Sequence, residues 1–160
     1  MLDLARQKAK KRVLTGRVRF GWADAAALPF ENQSFDAVGI AFAFRNLTWR
    51  NPKTASYLSE IMRVLKPGGR LVVLETSQPE NRVLKRSLHL YFRSFVAPVG
   101  GVLSGQPDAY RYLARSAADY YDSESLAGLL RRAGFGRVDV RLLFHGVAAL
   151  HLAGKKETGA

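Results

Sequence analysis

The chain has 160 residues, 48% of them apolar, which is enough for one domain with a real core. It has no cysteine, which excludes disulfides and thiolate metal sites, and no apolar run near the ~20 residues of a membrane span. A net charge of +12 asks for nucleic acid, an anionic membrane surface or an acidic ligand, or else marks a solvated basic surface. The basic residues are spread along the chain, without zinc-finger spacing, an RNP-like aromatic motif or a basic region with heptads, so no nucleic-acid partner is expected. The N-terminus carries no apolar signal-peptide core, and the chain reads as soluble and cytoplasmic.

Leu2 to Arg12 has the spacing of a helix, with Leu2, Ala5 and Ala9 on one side. Val18 to Ala23 alternates and predicts a short strand ending at Asp24. Ala25 to Ser34, with Pro29 and Asn32, reads as loop. Phe35 to Phe42 is an apolar strand that delivers Phe44, Arg45 and Asn46 to its carboxyl end. Pro52 sits at a helix start, and Ala55, Leu58, Met62 and Leu65 mark that helix's buried side, with Met62 in the core.

Arg63 to Ser77 (RVLKPGGRLVVLETS) takes this helix through a turn into a strand. Lys66 falls in the predicted last helical turn, where a cation complements the dipole. Pro67 cannot continue the helix, and Gly68 and Gly69 can take positive φ. Leu71 to Leu74 is a continuous apolar run, as in a parallel strand covered on both faces. It ends on Glu75, Thr76 and Ser77, at the end of an open sheet where ligands bind.

Leu84, Leu88, Tyr91, Phe92 and Phe95 then share one face of a helix, with Arg82, Lys85, Arg86, His89 and Arg93 largely on the other. It reads either as a helix packed on the sheet with a solvated basic face, or as a lid touching an apolar ligand or lipid headgroups. Pro98, Gly100 and Gly101 are expected to end it. Tyr110 to Ala118 is another helix, and Asp122 or Ser123 caps the next, with Leu126, Leu129, Leu130 and Ala133 inward. Gly134 supplies a left-handed C′ position. Val138 to Phe144 and Val147 to Leu152 are strands joined by a turn at Gly146, too short a link for parallel pairing. Lys155 to Ala160 reads as a polar, frayed tail. The whole predicts an α/β domain over residues 1–155, mostly parallel with one antiparallel strand, and a helical lid insertion at about 79–118.

Four sets of residues together carry a resemblance. Arg63–Ser77 is one; the others are Asp24–Asp36 (DAAALPFENQSFD), Phe42–Asn46 (FAFRN), and Asp108–Leu113 (DAYRYL) with Ala133–Phe135 and Val147–His151 (VAALH). In this order and spacing they resemble the UbiE/MenG family of quinone-biosynthesis C-methyltransferases, from Met1 to about Lys155. The resemblance implies a Rossmann-like class I methyltransferase sheet and S-adenosyl-L-methionine as cofactor. The implied substrate is the ring carbon of a polyprenylated quinol. Such a reaction needs in-line alignment and a nucleophilic carbon, not a metal.

Carried over by the resemblance, Asp24 looks like the group beside the adenine amino function, with the Ala25 amide next to it. The alternative for Asp24 is a strand-end Asx turn. Ala41 falls near the cofactor where some relatives carry a serine. Phe44, Arg45 and Asn46 would sit at the substrate mouth, with Arg45 stabilising a developing quinolate and Asn46 holding a water or quinol hydroxyl. The alternative for Arg45 is a pair with a loop carboxylate. Tyr91 and Phe95 would line the substrate from the lid. His89, His145 and His151 read as structural or surface residues, and Glu75 as an anchor of its strand end through backbone amides.

The chain departs from the family in one respect. It has no Gly-rich strand-to-helix loop, nor the following strand with an acidic residue for ribose hydroxyls. In the family's sheet those strands lie between the predicted strands at Val18–Ala23 and Phe35–Phe42. Without them the two cannot pair in the usual order. The expectation is a truncated or split enzyme: the chain alone is unstable, rearranged, or completed by another polypeptide or a homo-oligomer. A non-catalytic partner subunit, or a methyltransferase fragment for another hydrophobic small molecule, is the competing reading. The basic lid would favour peripheral attachment at the inner face of an anionic membrane.

Overall fold

The structure, a computed structural model, describes residues 2–11 and 16–157. After helix α1 (Leu2–Lys11), the first strand is β1 (Phe35–Ala41), followed by a short helix α2 (Phe44–Thr48) and helix α3 (Thr54–Val64). Strand β2 (Leu65–Thr76) leads to the lid helices α4 (Arg82–Tyr91), α5 (Ala97–Ser104) and α6 (Pro107–Asp119). Helix α7 (Ser123–Arg132), strand β3 (Val138–Leu143) and strand β4 (Ala148–Gly154) complete the chain. The sheet order is β1-β2-β4-β3, with β1 parallel to β2 and β4 antiparallel to both its neighbours. Three strands run in one direction and β4 alone opposes them, next to an edge, which is the single antiparallel strand the sequence predicts; two of the three ladders are therefore antiparallel.

One face of the sheet carries the core. Leu71 and Val73 of β2 are fully buried against Leu58 and Ile61 of α3 and Leu126 and Leu130 of α7. Side chains on alternate residues point the other way. On that side Gly39 and Ala41 are exposed, and Val72 and Leu74 are only half-buried.

The expected strand at Val18–Ala23 does not form. That segment joins no ladder, and only an isolated bridge joins Asp24 to Ala27. A strand needs a partner to satisfy its amides, and β1, its nearest strand in sequence, pairs only with β2. Loop 24–33 is instead held to α3 by side chains. Glu60 accepts from the Leu28 amide at 2.9 Å, and Arg63 donates to the carbonyls of Leu28 and Phe30. Its bond to the Arg63 guanidinium, and then the Leu28 amide, hold the Glu60 carboxyl down to about 2.

The turn after α3 also differs. The helix stops at Val64, so Lys66 lies in β2 and pairs with Asp36 at 2.8 Å. The register shift between Phe35 and Ala37 absorbs the extra residues of the Pro-Gly-Gly bulge. Gly68 takes φ +73°, and a Cβ at Gly69 would come within 2.8 Å of the Lys66 carbonyl. The cation at the end of α3 is Lys155, whose Nζ donates to the carbonyls of Met62 and Leu65. Lys155 is thus tied down rather than frayed, while tail residues 158–160 and Arg12 lie outside the described residues.

Ala55 and Met62 are not core. Ala55 is exposed and Met62 half-buried, and both line a groove of about 790 Å³ with Leu129 and Ala133. The reason is that α3 and α7 each pack on the sheet and leave a furrow between them. The end of α7 is as expected: Gly134 has φ +101°, and the Phe135 amide donates to Leu130 O in a Schellman-type cap.

The lid helix does not end at Pro98. α4 passes through one π turn (Phe92–Val96) into α5, and the left-handed Gly105 closes it. Proline is tolerated in the first turn of α5, and the widened turn ahead of it takes up the mismatch.

Candidate active site

The carboxyl ends of β1 and β2 bring a polar cluster into the protein interior. Phe44 opens α2 and is fully buried in the core, so it anchors the helix rather than lining a substrate mouth. This corrects its assignment as a lining residue: the ring is drawn inward, where burying an aromatic side chain is worth about 1.5–3 kcal/mol. Its neighbour Arg45 is only 5% exposed and Glu75 only 1%.

Arg45 Nη1 donates to Thr76 Oγ1 at 3.0 Å and lies 3.5 Å from Glu75 Oε1. Glu75 accepts from the amides of Arg45 (3.1 Å) and Thr76 (2.9 Å), the backbone anchoring expected of it. It is also the carboxylate that pairs with Arg45, on a strand end rather than a loop. Arg45 Nε and Ser77 Oγ are buried without a hydrogen-bond partner among the described residues. A buried guanidinium N–H without an acceptor is costly.

Asn46 is exposed and connects this cluster to the lid, accepting from the Tyr112 hydroxyl of α6 at 3.3 Å. The indole of Trp49 meets the Tyr112 ring edge-on at 5.6 Å. Deeper, Thr48 donates to Phe44 O, so the Tyr120 hydroxyl must donate to Thr48 Oγ1 at 2.8 Å. Burial, above all, pushes the Tyr120 phenol far up, which keeps it a donor. Gln78 donates to Ala117 O at 2.7 Å and accepts from His89 Nε2 at 2.9 Å. His89 is therefore structural, locking α4 and α6 to the end of β2.

Beneath the lid, His89, Arg93, Ala97, Arg111, Ala114 and Arg115 line a cleft of about 570 Å³. Tyr91 and Phe95 do not line it. They stack on each other at 5.5 Å, each more than half exposed, on another side of the same helix. The π turn and the helical period place His89, Arg93 and Ala97 inward in their stead.

Asp24 is exposed, and its Oδ1 accepts from the Ala26 amide at 2.9 Å, so the Asx turn is present. Ala25 is half-buried inside that turn. Only Oδ1 is engaged among the described residues, and a carboxylate so placed suits an exocyclic amino group. Ala41 lies on the open side of β1, where a Cβ added at neighbouring Gly39 would meet nothing within 4 Å.

Sequence reasoning missed Tyr112 and Gln78, and placed Thr76 at the ligand-facing strand end without its bond to Arg45. Tyr112 was within reach, since it stands in the run Asp108–Leu113. Gln78 had no signal, because its partner Ala117 lies 39 residues away.

His151 of β4 is buried, with Nε2 donating to Ser123 O at 2.9 Å and Nδ1 unpartnered among the described residues. Desolvation, opposed by that carbonyl, pushes its pKa below the usual 6.5. A lowered pKa favours the neutral ring in the fold, so stability is full above 6.5 and falls as pH drops below it. Thermal unfolding should shift down between about pH 7.5 and 5.5, and His151→Leu should flatten that slope. An unchanged slope in the variant would refute the assignment.

Residues 1–155 match the ubiE/COQ5 methyltransferase family. A ubiquinone/menaquinone biosynthesis C-methyltransferase UbiE of Dinoroseobacter shibae is 43% identical over 151 residues, covering 94% of this chain and 59% of that protein. The protein of the same name from Stutzerimonas stutzeri is 42% identical over 151 residues, covering 94% of this chain and 57% of its own. The chain therefore spans less than two thirds of the length of these curated relatives. An O-methyltransferase family protein from Burkholderia thailandensis superposes with a TM-score of 0.64 at 20% identity, over 98% of this chain and 41% of that one. A SAM-dependent methyltransferase from Aquifex aeolicus gives 0.58 at 19% identity, over 96% of this chain and 62% of that one. At such identities the structures speak for the fold, a methyltransferase α/β sheet, while the sequence match runs through every strand, the lid and the Arg45 cluster. The chain belongs to the ubiE/COQ5 methyltransferase family.

Proposed function

We propose that this chain forms the substrate side of an enzyme that methylates a ring carbon of a polyprenylated quinol. The observation that carries the reading is the buried Arg45–Glu75–Thr76 cluster, linked to the lid through Asn46 and Tyr112. S-adenosyl-L-methionine, when bound, supplies a methyl group already activated by its sulfonium. Asp24 and the Ala25 amide hold the adenine end, with Ala41 as a small floor. Arg45 stabilises negative charge on a ring oxygen as carbon attacks, directly or through a water, and a buried, pre-oriented donor suits this task. Asn46, oriented by Tyr112, holds a quinol hydroxyl or that water.

The open side of β1 and the chain's length relative to its kin support a second element of the proposal. A segment with a Gly-rich loop completes the sheet, in the same polypeptide or another one. A prenylated substrate would be met at an anionic lipid surface on the cytoplasmic side, with the protein peripheral there. None of its described helices is long and apolar enough to cross a membrane.

Fusing the Gly-rich segment ahead of Leu2, or supplying it as a second chain, should produce transfer of a labelled methyl group to a demethylated quinol. Each part alone should transfer none. An assembly that binds the cofactor but transfers no methyl would favour the non-catalytic partner instead.

A further inference from the structure

The cleft between the long lid helix and α6 gathers positive charge that methyl transfer does not use. Arg93 lies on one wall, and Arg111 and Arg115, one helical turn apart, lie on the other, around a space of about 570 Å³. Asp108 pairs with Arg111 on its own helix, and Asp119, the one carboxylate on the lining, pairs with Arg50 at 3.6 Å. Among the described residues Arg93 and Arg115 have no ion-pair partner. Arg82 and Arg86 extend the basic row of α4 on the face that carries His89 and Arg93, and no Asp or Glu occurs between Asn81 and Pro107.

The rest of the lining is mostly small. Ala97 of α5 and Ala114 and Ala118 of α6 are buried or half-buried there, and such short side chains leave the space open. Past Arg93 and Arg111 the cleft continues into a groove of about 580 Å³ along Pro98, Gly101, Val102 and Pro107. Charge is thus concentrated at one end of the space and apolar surface at the other.

We infer that this cleft binds an organic phosphate monoester, with the phosphate between Arg93 and Arg115 and the apolar part of the ligand in the groove beyond. Two unpaired guanidinium charges on opposite walls of one cleft repel, and a single dianion balances both. A phosphate monoester carries about 1.5–2 negative charges near neutral pH, whereas a diester or a carboxylate carries only one. The planar guanidinium fork also matches phosphate oxygens two at a time. A neutral quinol ring uses none of these charges, and the charge that develops on it is assigned to Arg45. The inference therefore goes beyond the methyl-transfer reading, and either can fail while the other stands.

The test is titration calorimetry of the full chain with hexyl phosphate, inorganic phosphate and diethyl phosphate at constant ionic strength, without cofactor or quinone. Hexyl phosphate should saturate one site and bind more tightly than inorganic phosphate, because its chain occupies the groove. Diethyl phosphate, a monoanion like a lipid headgroup or a nucleic-acid backbone, should bind about tenfold more weakly than hexyl phosphate. Arg93→Gln and Arg115→Gln should each weaken hexyl phosphate binding about tenfold, the worth of one charge-assisted hydrogen bond. Both arginines are exposed, so folding should survive, as circular dichroism would verify. Lys10→Gln/Lys11→Gln removes positive charge from α1, outside the cleft, and should leave binding unchanged. No saturable binding by the parent chain, equal binding of the diester, or an equal loss in the lysine variant would each overturn the inference.

Discussion

Glu75→Leu is expected to destabilise the fold by about 3–5 kcal/mol, because it strands a buried charge. The Glu75 side chain is fully buried and that of Arg45 is 6% exposed, so water can replace neither partner. Glu75 also accepts from two backbone amides, those of Arg45 and Thr76. Leucine would remove the carboxylate that both N–H groups donate to and leave the guanidinium only the Thr76 hydroxyl, and each lost acceptor adds about 1–3 kcal/mol. Against a typical stability of about 5–15 kcal/mol such a loss is large. Glu75→Gln keeps an acceptor oxygen of the same shape and should cost less than leucine. Denaturant midpoints of the two variants, compared with the parent chain, measure the difference. If the leucine variant matched the parent, the cluster would not be holding the strand end.

Arg45→Met, in an assembly complete enough to turn over, is expected to lower turnover by about a hundred- to thousandfold. Cofactor affinity should change little, because the proposed adenine contacts at Asp24 and Ala25 are on a different loop. The structure adds a complication that also sharpens the test. Methionine at 45 leaves Glu75 buried without its partner, so stability falls too. Turnover must therefore be divided by the folded fraction at each temperature. Arg45→Lys preserves charge but not the planar fork, and should recover stability more than rate. A folded methionine variant with parental turnover would reduce Arg45 to the structural partner of Glu75.

Much of this was legible from the chain. The apolar run Leu71–Leu74, the cap at Asp122, the turn at Gly134 and the short link at Gly146 are local signals, and each led to the element observed. The failures came where a distant partner decided the outcome. Val18–Ala23 alternates like a strand, yet a strand exists only as a ladder. Lys66 stood in helical register, but the bulge drew it toward Asp36 and left the helix end to Lys155. Phe44 and Tyr91 illustrate the same limit for the site. Both are aromatic and near the expected mouth, but whether such a ring points inward or outward depends on what packs against it.

The family and the run of elements are written along the chain, because motif order, turn residues and apolar periodicity are properties of neighbouring positions. Tertiary structure alone decided that Arg45 is buried on Glu75 and Thr76, some thirty residues later in the chain. It also decided that the lid's aromatic row faces out instead of into the cleft. Both outcomes follow from packing across the sheet and the rotation of one long helix through its π turn, and a linear spacing encodes neither.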